Sequence, residues 1–216
     1  MGSRAIAVMG ESGSGKTTAM RTLKSEETYY IDCDGKGLSW RGWRQQYNAA
    51  RKNYIRCADQ NTILSIMVGI SQKRENIKNI VIDTANSIMV DDEFRRMKEK
   101  GYDKWQDIAM SVYQIVTTAS ALRDDMTVIV LFHTQTDVDE ATGQRFTRIL
   151  TNGKKLNKVG LEKYFTTVLL SKRNDTGAYI FETHSNHSTA KTPMDAFDAD
   201  EIDNDMQAVL DVLAEF

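Results

Sequence analysis

The chain alternates short apolar runs with longer stretches of helical periodicity. Ala5-Ile6-Ala7-Val8-Met9, Asn79-Ile80-Val81-Ile82-Asp83 and Met126–Phe132 are nearly continuous apolar runs, the pattern of strands buried on both faces. Thr28-Tyr29-Tyr30-Ile31-Asp32, β-branched and aromatic, predicts a further strand, and Asn53–Cys57 a short one. Ile63, Ile66, Met67 and Ile70 share one helical face, which predicts a helix from Ile63 to about Glu75 capped by Asn61-Thr62. Helices are also predicted over Lys16–Ser25, Ala85–Lys100 and Asp103–Arg123, the last two separated by Gly101. Another covers Asp203–Ala214, where Met206, Val209, Leu210 and Leu213 recur at helical spacing. Lys163–Lys172 and Ala178–Thr183 flank Asn174-Asp175-Thr176-Gly177, a hairpin signal, and Thr136–Phe146 reads as a polar loop. The order predicts an α/β fold: a mostly parallel central sheet flanked by helices, with a C-terminal antiparallel hairpin.

Composition narrows this little. The 216 residues suit one domain, and the single proline, Pro193, leaves no proline-rich linker to mark a second. The expected division is a core over residues 1–194 and an acidic C-terminal tail with a short helix over 195–216. No apolar run approaches a membrane span and the start carries no signal-peptide pattern, so the expected location is cytoplasmic, with no membrane partner. Cys33 and Cys57 lack metal-ligand spacing and read as reduced thiols. The net charge of −2 hides an asymmetry: residues 144–173 hold eight basic side chains against one acid, and residues 195–216 hold eight acids and no base. Either the basic segment meets a polyanion for which the tail competes, or two solvated faces balance one another.

The chemistry starts at Gly10-Glu11-Ser12-Gly13-Ser14-Gly15-Lys16-Thr17-Thr18, G-x-x-x-x-G-K-T between a strand and a helix. Such a loop turns successive N–H groups onto an anion. Lys16 would reach the β- and γ-phosphates, and the Thr17 hydroxyl would ligate Mg²⁺. Asp83 closes an apolar strand, where a carboxylate can hold a metal-bound water. Asp32 and Asp34 follow the strand after the loop helix, and a carboxylate there could orient the attacking water and accept its proton. Asp34 is the preferred candidate, and turn-forming residues before Gly35 are the alternative. His133, Thr134 and Gln135 end another strand, where one of them could sense the γ-phosphate. Trp40 is either an adenine-stacking side chain or a core aromatic.

Taken together, these parts resemble the RecA-type ATPase core, over roughly residues 4–194. The chain looks most like the single-domain RecA-like ATPases of bacteriophages, the phage nucleotide-binding proteins that include Sak-type single-strand annealing recombinases. In this family the catalytic acid comes from the segment that "YYIDCD" resembles, with Asp34 at the matching position; the family usually has Glu there, one methylene longer. The resemblance implies two DNA-lining loops. One is about Val90–Lys104, with Arg95, Arg96, Lys98 and Lys100; the other is about Thr136–Lys158, with Arg145, Arg148, Lys154, Lys155 and Lys158. Phe146 or Tyr102 would stack on bases. It further implies a homo-oligomer, ring or filament, in which Lys191 of "TAKTP" completes a neighbour's site. The expected ligands are therefore ATP, Mg²⁺ and single-stranded DNA, with a single-strand-binding protein as a further partner and a bacterial host cytoplasm as the setting. The rival readings are a nucleoside-type P-loop kinase and a nucleotide-gated scaffold with little turnover.

Overall fold

Strand residues alternate between two apolar layers, and that alternation assembles the molecule. In β1 (Arg4–Met9), Ala5, Ala7 and Met9 join one cluster, while Ile6 and Val8 join the other. β4 (Asn79–Asp83) and β5 (Thr127–Phe132) divide in the same way, with Ile80, Ile82, Val128 and Val130 opposite Val81, Ile129 and Leu131. Burial on both faces is what continuous apolar runs require. The structure is a computed structural model and describes residues 3–99, 103–138, 143–151 and 160–216.

Among these residues eight strands form one sheet, in the order β10-β9-β8-β1-β5-β4-β2-β3. The remaining strands of that sheet are β2 (Thr28–Asp32), β3 (Tyr54–Arg56), β8 (Thr167–Arg173), β9 (Tyr179–Glu182) and β10 (Glu201–Asp203). From β8 to β3 all neighbours are parallel, and β9 and β10 continue the sheet antiparallel. Register pairs Met9 with Phe132 and Leu170, and Asp32 with Asp83. The carboxyl ends of these strands therefore share one edge, where an open α/β sheet places its ligand site.

Helices α3 (Gln60–Lys73), α4 (Ala85–Arg95) and α5 (Asp103–Ala119) cover one face. The other is covered by α1 (Lys16–Ala19), the 3₁₀ turn Met20–Thr22 that follows it, and α6 (Met206–Leu213). A short α2 (Trp43–Gln46) lies in the segment before β3. The N-cap of α3 is Asp59, whose carboxylate accepts the Thr62 N–H at 2.8 Å, rather than the expected Asn61-Thr62. In the acidic segment 195–216, α6 buries Met206, Val209, Leu210 and Leu213, each side chain contributing about 1.5–3 kcal/mol. β10 adds an edge strand that the sequence pattern did not reveal. Described residues contain no helix long and apolar enough to cross a membrane.

The segment Thr136–Phe146, read as a polar loop, begins and ends in strand: residues 136–138 belong to β6 (Thr134–Val138) and residues 145–146 to β7 (Arg145–Ile149), which pair antiparallel as a ribbon. Half of its ten side chains are exposed and Ile149 alone is buried, so neither face carries the apolar alternation that marks a half-buried strand. Main-chain bonds hold it instead: Thr147 N–H to His187 O at 2.8 Å, Thr189 N–H to Thr147 O at 2.9 Å, and Leu150 N–H to His133 O at 2.8 Å.

Candidate nucleotide site

The Gly10–Thr18 loop links β1 to α1 at the shared sheet edge. Gly15 adopts φ +102°, and a Cβ there would meet the Tyr179 ring at 2.8 Å. A Cβ on Gly10 would come within 2.5 Å of Ser171 O. Both positions demand glycine, one for conformation and one for the close approach of β8. Lys16 Nζ donates to Gly10 O and Glu11 O, both at 2.7 Å. Burial, only partly offset by Asp83, Asp34 and Glu11, pulls the Lys16 pKa down to about 8. A poorly solvated ammonium whose partners here are two loop carbonyls favours an anion beside it.

Thr17 Oγ1 donates to Asp83 Oδ2 at 2.7 Å, and the buried Tyr30 hydroxyl donates to the same oxygen at 2.6 Å. Asp83 Oδ1 is buried and has no hydrogen-bond partner among the described residues, and burial raises the Asp83 pKa despite the donated bonds. A buried carboxylate oxygen with no donor beside a threonine hydroxyl fits a hard cation held by few protein ligands, with water and phosphate oxygens completing its shell. Thr17 and Asp83 are the residues that would hold Mg²⁺.

Asp34 lies two residues past the end of β2. Its Oδ1 accepts the Thr84 hydroxyl at 2.8 Å, the Thr84 N–H at 3.3 Å and the Ser87 hydroxyl, while Oδ2 pairs with Lys36. Burial pushes the carboxyl pKa up, but the bonds from Lys36, Ser87 and Thr84 outweigh it and hold it at about 2. Asp32 has a different task. Its oxygens accept Gly35 N–H at 2.9 Å, Gly37 N–H at 2.8 Å and the Tyr54 hydroxyl at 2.7 Å, which shapes the turn that presents Asp34.

A cavity of about 400 Å³ beside the loop is lined by Lys16, Thr17, Lys36, Thr84, His133 and Tyr179, among others. The His133 pKa is lowered by burial and by Lys16. Its backbone N–H donates to Asn86 Oδ1 at 2.7 Å, and Asn86 Nδ2 donates to Leu150 O at 2.8 Å. Asn86 thus ties the β5 tip to the end of the β6–β7 ribbon. Thr134 lines a second cavity, of about 390 Å³, with Glu11, Ser14 and Arg173; Gln135 turns to Asp137. A larger cavity, about 840 Å³, opens at the opposite sheet edge near Arg4, Lys78 and Thr127, away from every group described here.

The remaining expected residues scatter. Trp40 packs edge-on against Tyr30 and Tyr47, with its indole N–H on Gln46 Oε1 at 2.7 Å, and does not line the 400 Å³ cavity. Arg95 pairs with Asp59 and Asp91, both at 2.9 Å; Arg96 pairs with Glu99 at 2.8 Å and Asp107 at 2.9 Å. Arg148 lies 3.9 Å from both Asp137 and Glu162, and Arg145 is exposed on β7. Lys191 is exposed, its backbone paired with Val168 on β8. Lys100, Tyr102, Lys154, Lys155 and Lys158 lie outside the described residues. The two charged segments meet at Lys172, which pairs with Glu182 at 2.7 Å and Glu201 at 2.9 Å. Lys36, Asn86 and Tyr179 were missed from sequence. Lys36 had a signal, a cation between two glycines directly after Asp34, whereas Tyr179 reaches the loop only through the β8–β9 pairing.

A family model described as AAA domain matches residues 3–194. The chain belongs to this AAA domain family. Membership implies a nucleotide, usually with Mg²⁺, and agrees with the loop, Thr17 and Asp83. No curated protein matches the chain. Among solved structures it is similar to the RadB recombinase, with a TM-score of 0.51 and 14% identity over 86% of this chain and 83% of that one. The fold is that of a RecA-like P-loop NTPase, with extra antiparallel strands at one edge.

Proposed function

We propose that the protein is an ATP- and Mg²⁺-dependent RecA-like ATPase of the phage Sak-type group, which assembles on single-stranded DNA during recombination, annealing or repair. The observation that carries the reading is the path from Asp83 to the ribbon. Three residues after the metal-binding carboxylate, Asn86 holds both the His133 backbone and Leu150. A phosphate bound at this sheet edge and the ribbon that bears Arg145 and Arg148 would therefore share one hydrogen-bonded support.

In this reading the Gly10–Thr18 N–H groups and Lys16 bind the phosphates. Mg²⁺, when bound, neutralises charge on the β- and γ-phosphate oxygens. Asp34 orients a water for in-line attack and accepts its proton; the P–O bond to the β-phosphate breaks, and ADP and phosphate leave. Tyr179 offers a ring beside Gly15 for the nucleoside, and Lys191 acts on a neighbour's nucleotide in a ring or filament. Arg145 and Arg148 take DNA phosphates. Arg95 and Arg96 would first have to release carboxylates, so their share is smaller.

The test is the rate of ATP hydrolysis with and without single-stranded oligonucleotide at two salt concentrations. Stimulation that fades with salt is expected, and Arg145→Ala should lower the salt slope of DNA affinity by about one. Nucleotide binding without turnover would instead favour the scaffold reading, which the complete hydrogen bonding of Asp34 also favours. Stimulation by a nucleoside would favour the kinase.

A further inference from the structure

Lys36 stands between two anion positions. On one side its ammonium is paired with Asp34 Oδ2. On the other it lines the cavity that also receives Lys16, Thr17 and Thr84, and it lies within electrostatic reach of Lys16, Asp83 and His133. The turn on either side of it is fixed, while its side chain has one acidic partner and an open flank. The flanking Gly35 and Gly37 N–H groups are fixed on Asp32 at 2.9 and 2.8 Å, yet the Lys36 side chain is 54% exposed. The ammonium end of the pair reaches solvent although Asp34 is only 14% exposed, so Lys36 has room to change partners, and a terminal phosphate in a partly desolvated cleft is the more highly charged partner for an ammonium.

We propose that Lys36 senses the terminal phosphate from within the same subunit, partitioning between the Asp34 carboxylate and the γ-phosphate of a bound nucleoside triphosphate. This deepens the nucleotide reading above and rests on it. Asp34 Oδ1 is already committed to Thr84 and Ser87, so Oδ2 is the oxygen left to orient water, and Lys36 covers it. Transfer of Lys36 to the γ-phosphate uncovers Oδ2 and adds a positive charge where negative charge develops. A diphosphate offers no such partner, so Lys36 stays on Asp34. The carboxylate is thereby exposed only when there is something to hydrolyse.

The two anions compete for one cation, and the test exploits this. Affinities for the β,γ-imido analogue of ATP and for ADP are measured by calorimetry with Mg²⁺, using the full chain and its Lys36→Gln, Lys36→Arg, Asp34→Asn and Asp34→Asn/Lys36→Gln variants. Lys36→Gln should weaken the triphosphate analogue about tenfold, the scale of one charge-assisted contact, and leave ADP within about twofold. Lys36→Arg should restore most of the difference. Asp34→Asn should tighten the analogue, and that gain should vanish in the double variant. Equal losses for both nucleotides, no loss, or a gain that survives in the double variant would each overturn the proposal. An unaltered chain that binds neither nucleotide would overturn the nucleotide reading itself, and this one with it.

Discussion

Thr17 and Asp83 lie 66 residues apart in sequence, and their side chains are joined by a 2.7 Å hydrogen bond. The bond joins α1, which follows β1 through the phosphate loop, to the end of β4, and β1 and β4 are not neighbours in the sheet, since β5 runs between them. It forms because both strands finish at the same edge, held there by the registers of β1 with β5 and of β5 with β4.

Asp83 therefore yields the first prediction. Burial raises its folded-state pKa above the ordinary 3.8, so the native state binds more protons than the unfolded chain just above that value. Its contribution is most favourable below 3.8 and is lost as pH rises through the raised pKa. Asp34 has the opposite sign: held at about 2, it favours folding above 3.8 and loses that contribution as pH falls towards 2. Denaturant titrations without Mg²⁺ should show Asp83→Asn removing the destabilisation that accompanies rising pH, and Asp34→Asn removing the acid-side loss. Asp83→Asn should also abolish Mg²⁺-dependent hydrolysis, by at least about 100-fold in kcat. Retention of the Mg²⁺ response would exclude Asp83 as the metal-organising carboxylate.

Lys16 gives a prediction that can be read as proton uptake. With its pKa near 8, a fraction of the lysine is neutral at pH 8, and a phosphate beside it restores the charge. Nucleotide binding at that pH should take up protons, detected by calorimetry in buffers of different ionisation enthalpy, and affinity should fall as pH rises above about 8. Stability without nucleotide runs the other way. The unfolded chain keeps the proton up to about 10.5, so stability rises between pH 8 and 10.5. Lys16→Ala should erase both effects and bind nucleotide poorly. Proton uptake that persists in this variant would place the responding group elsewhere.

Much of this site was legible because its geometry is written locally. The phosphate loop is a contiguous stretch, and Asp83 ends an uninterrupted apolar run, so motif and periodicity mark them together. In the sequence Asp34 is preferred to Asp32 from its place after the strand and from the resemblance, without a contact to decide between them. The physical reason for the ranking, that Asp32 is consumed by Gly35, Gly37 and Tyr54, depends on a turn and on a strand 22 residues away. Arg95 and Arg96 looked like a cationic loop because charge counts ignore pairing. Their partners include Asp59 and Asp107, on other parts of the chain. The β6–β7 ribbon stayed hidden because main-chain bonds hold it and no buried face leaves a pattern in the side chains.

Asn86 tests the link between the cleft and the ribbon. Its amide makes one bond to His133 and one to Leu150, and it is buried. Asn86→Ala should cost about 1–3 kcal/mol of folding stability, measurable as a shift in the denaturation midpoint. The informative readout is elsewhere. ATP affinity should change by less than about twofold, while stimulation of hydrolysis by oligonucleotide should fall several-fold, since the cleft and ribbon would no longer move as one body. If stimulation is unchanged in a variant that is destabilised as expected, Asn86 is a structural clamp only.

Lys191 lies on the flank of β8 turned away from β1. Val168, its backbone partner, is in register with Ala7, two residues short of the strand end at Met9. Its side chain is exposed and forms no ion pair among the described residues. Since it lies outside the cavities that border its own phosphate loop, the role proposed above for Lys191 requires it to reach a neighbouring subunit. Lys191→Ala should leave nucleotide affinity of isolated subunits intact and depress turnover in the assembled state. Mixing supplies the decisive measurement. Asp34→Asn subunits keep Lys191 but cannot orient water, and Lys191→Ala subunits keep Asp34 but cannot complete a neighbour. In a head-to-tail assembly about one interface in four then pairs the two intact groups, and a corresponding part of the activity should return. A mixture no more active than its components would confine Lys191 to a role within its own chain.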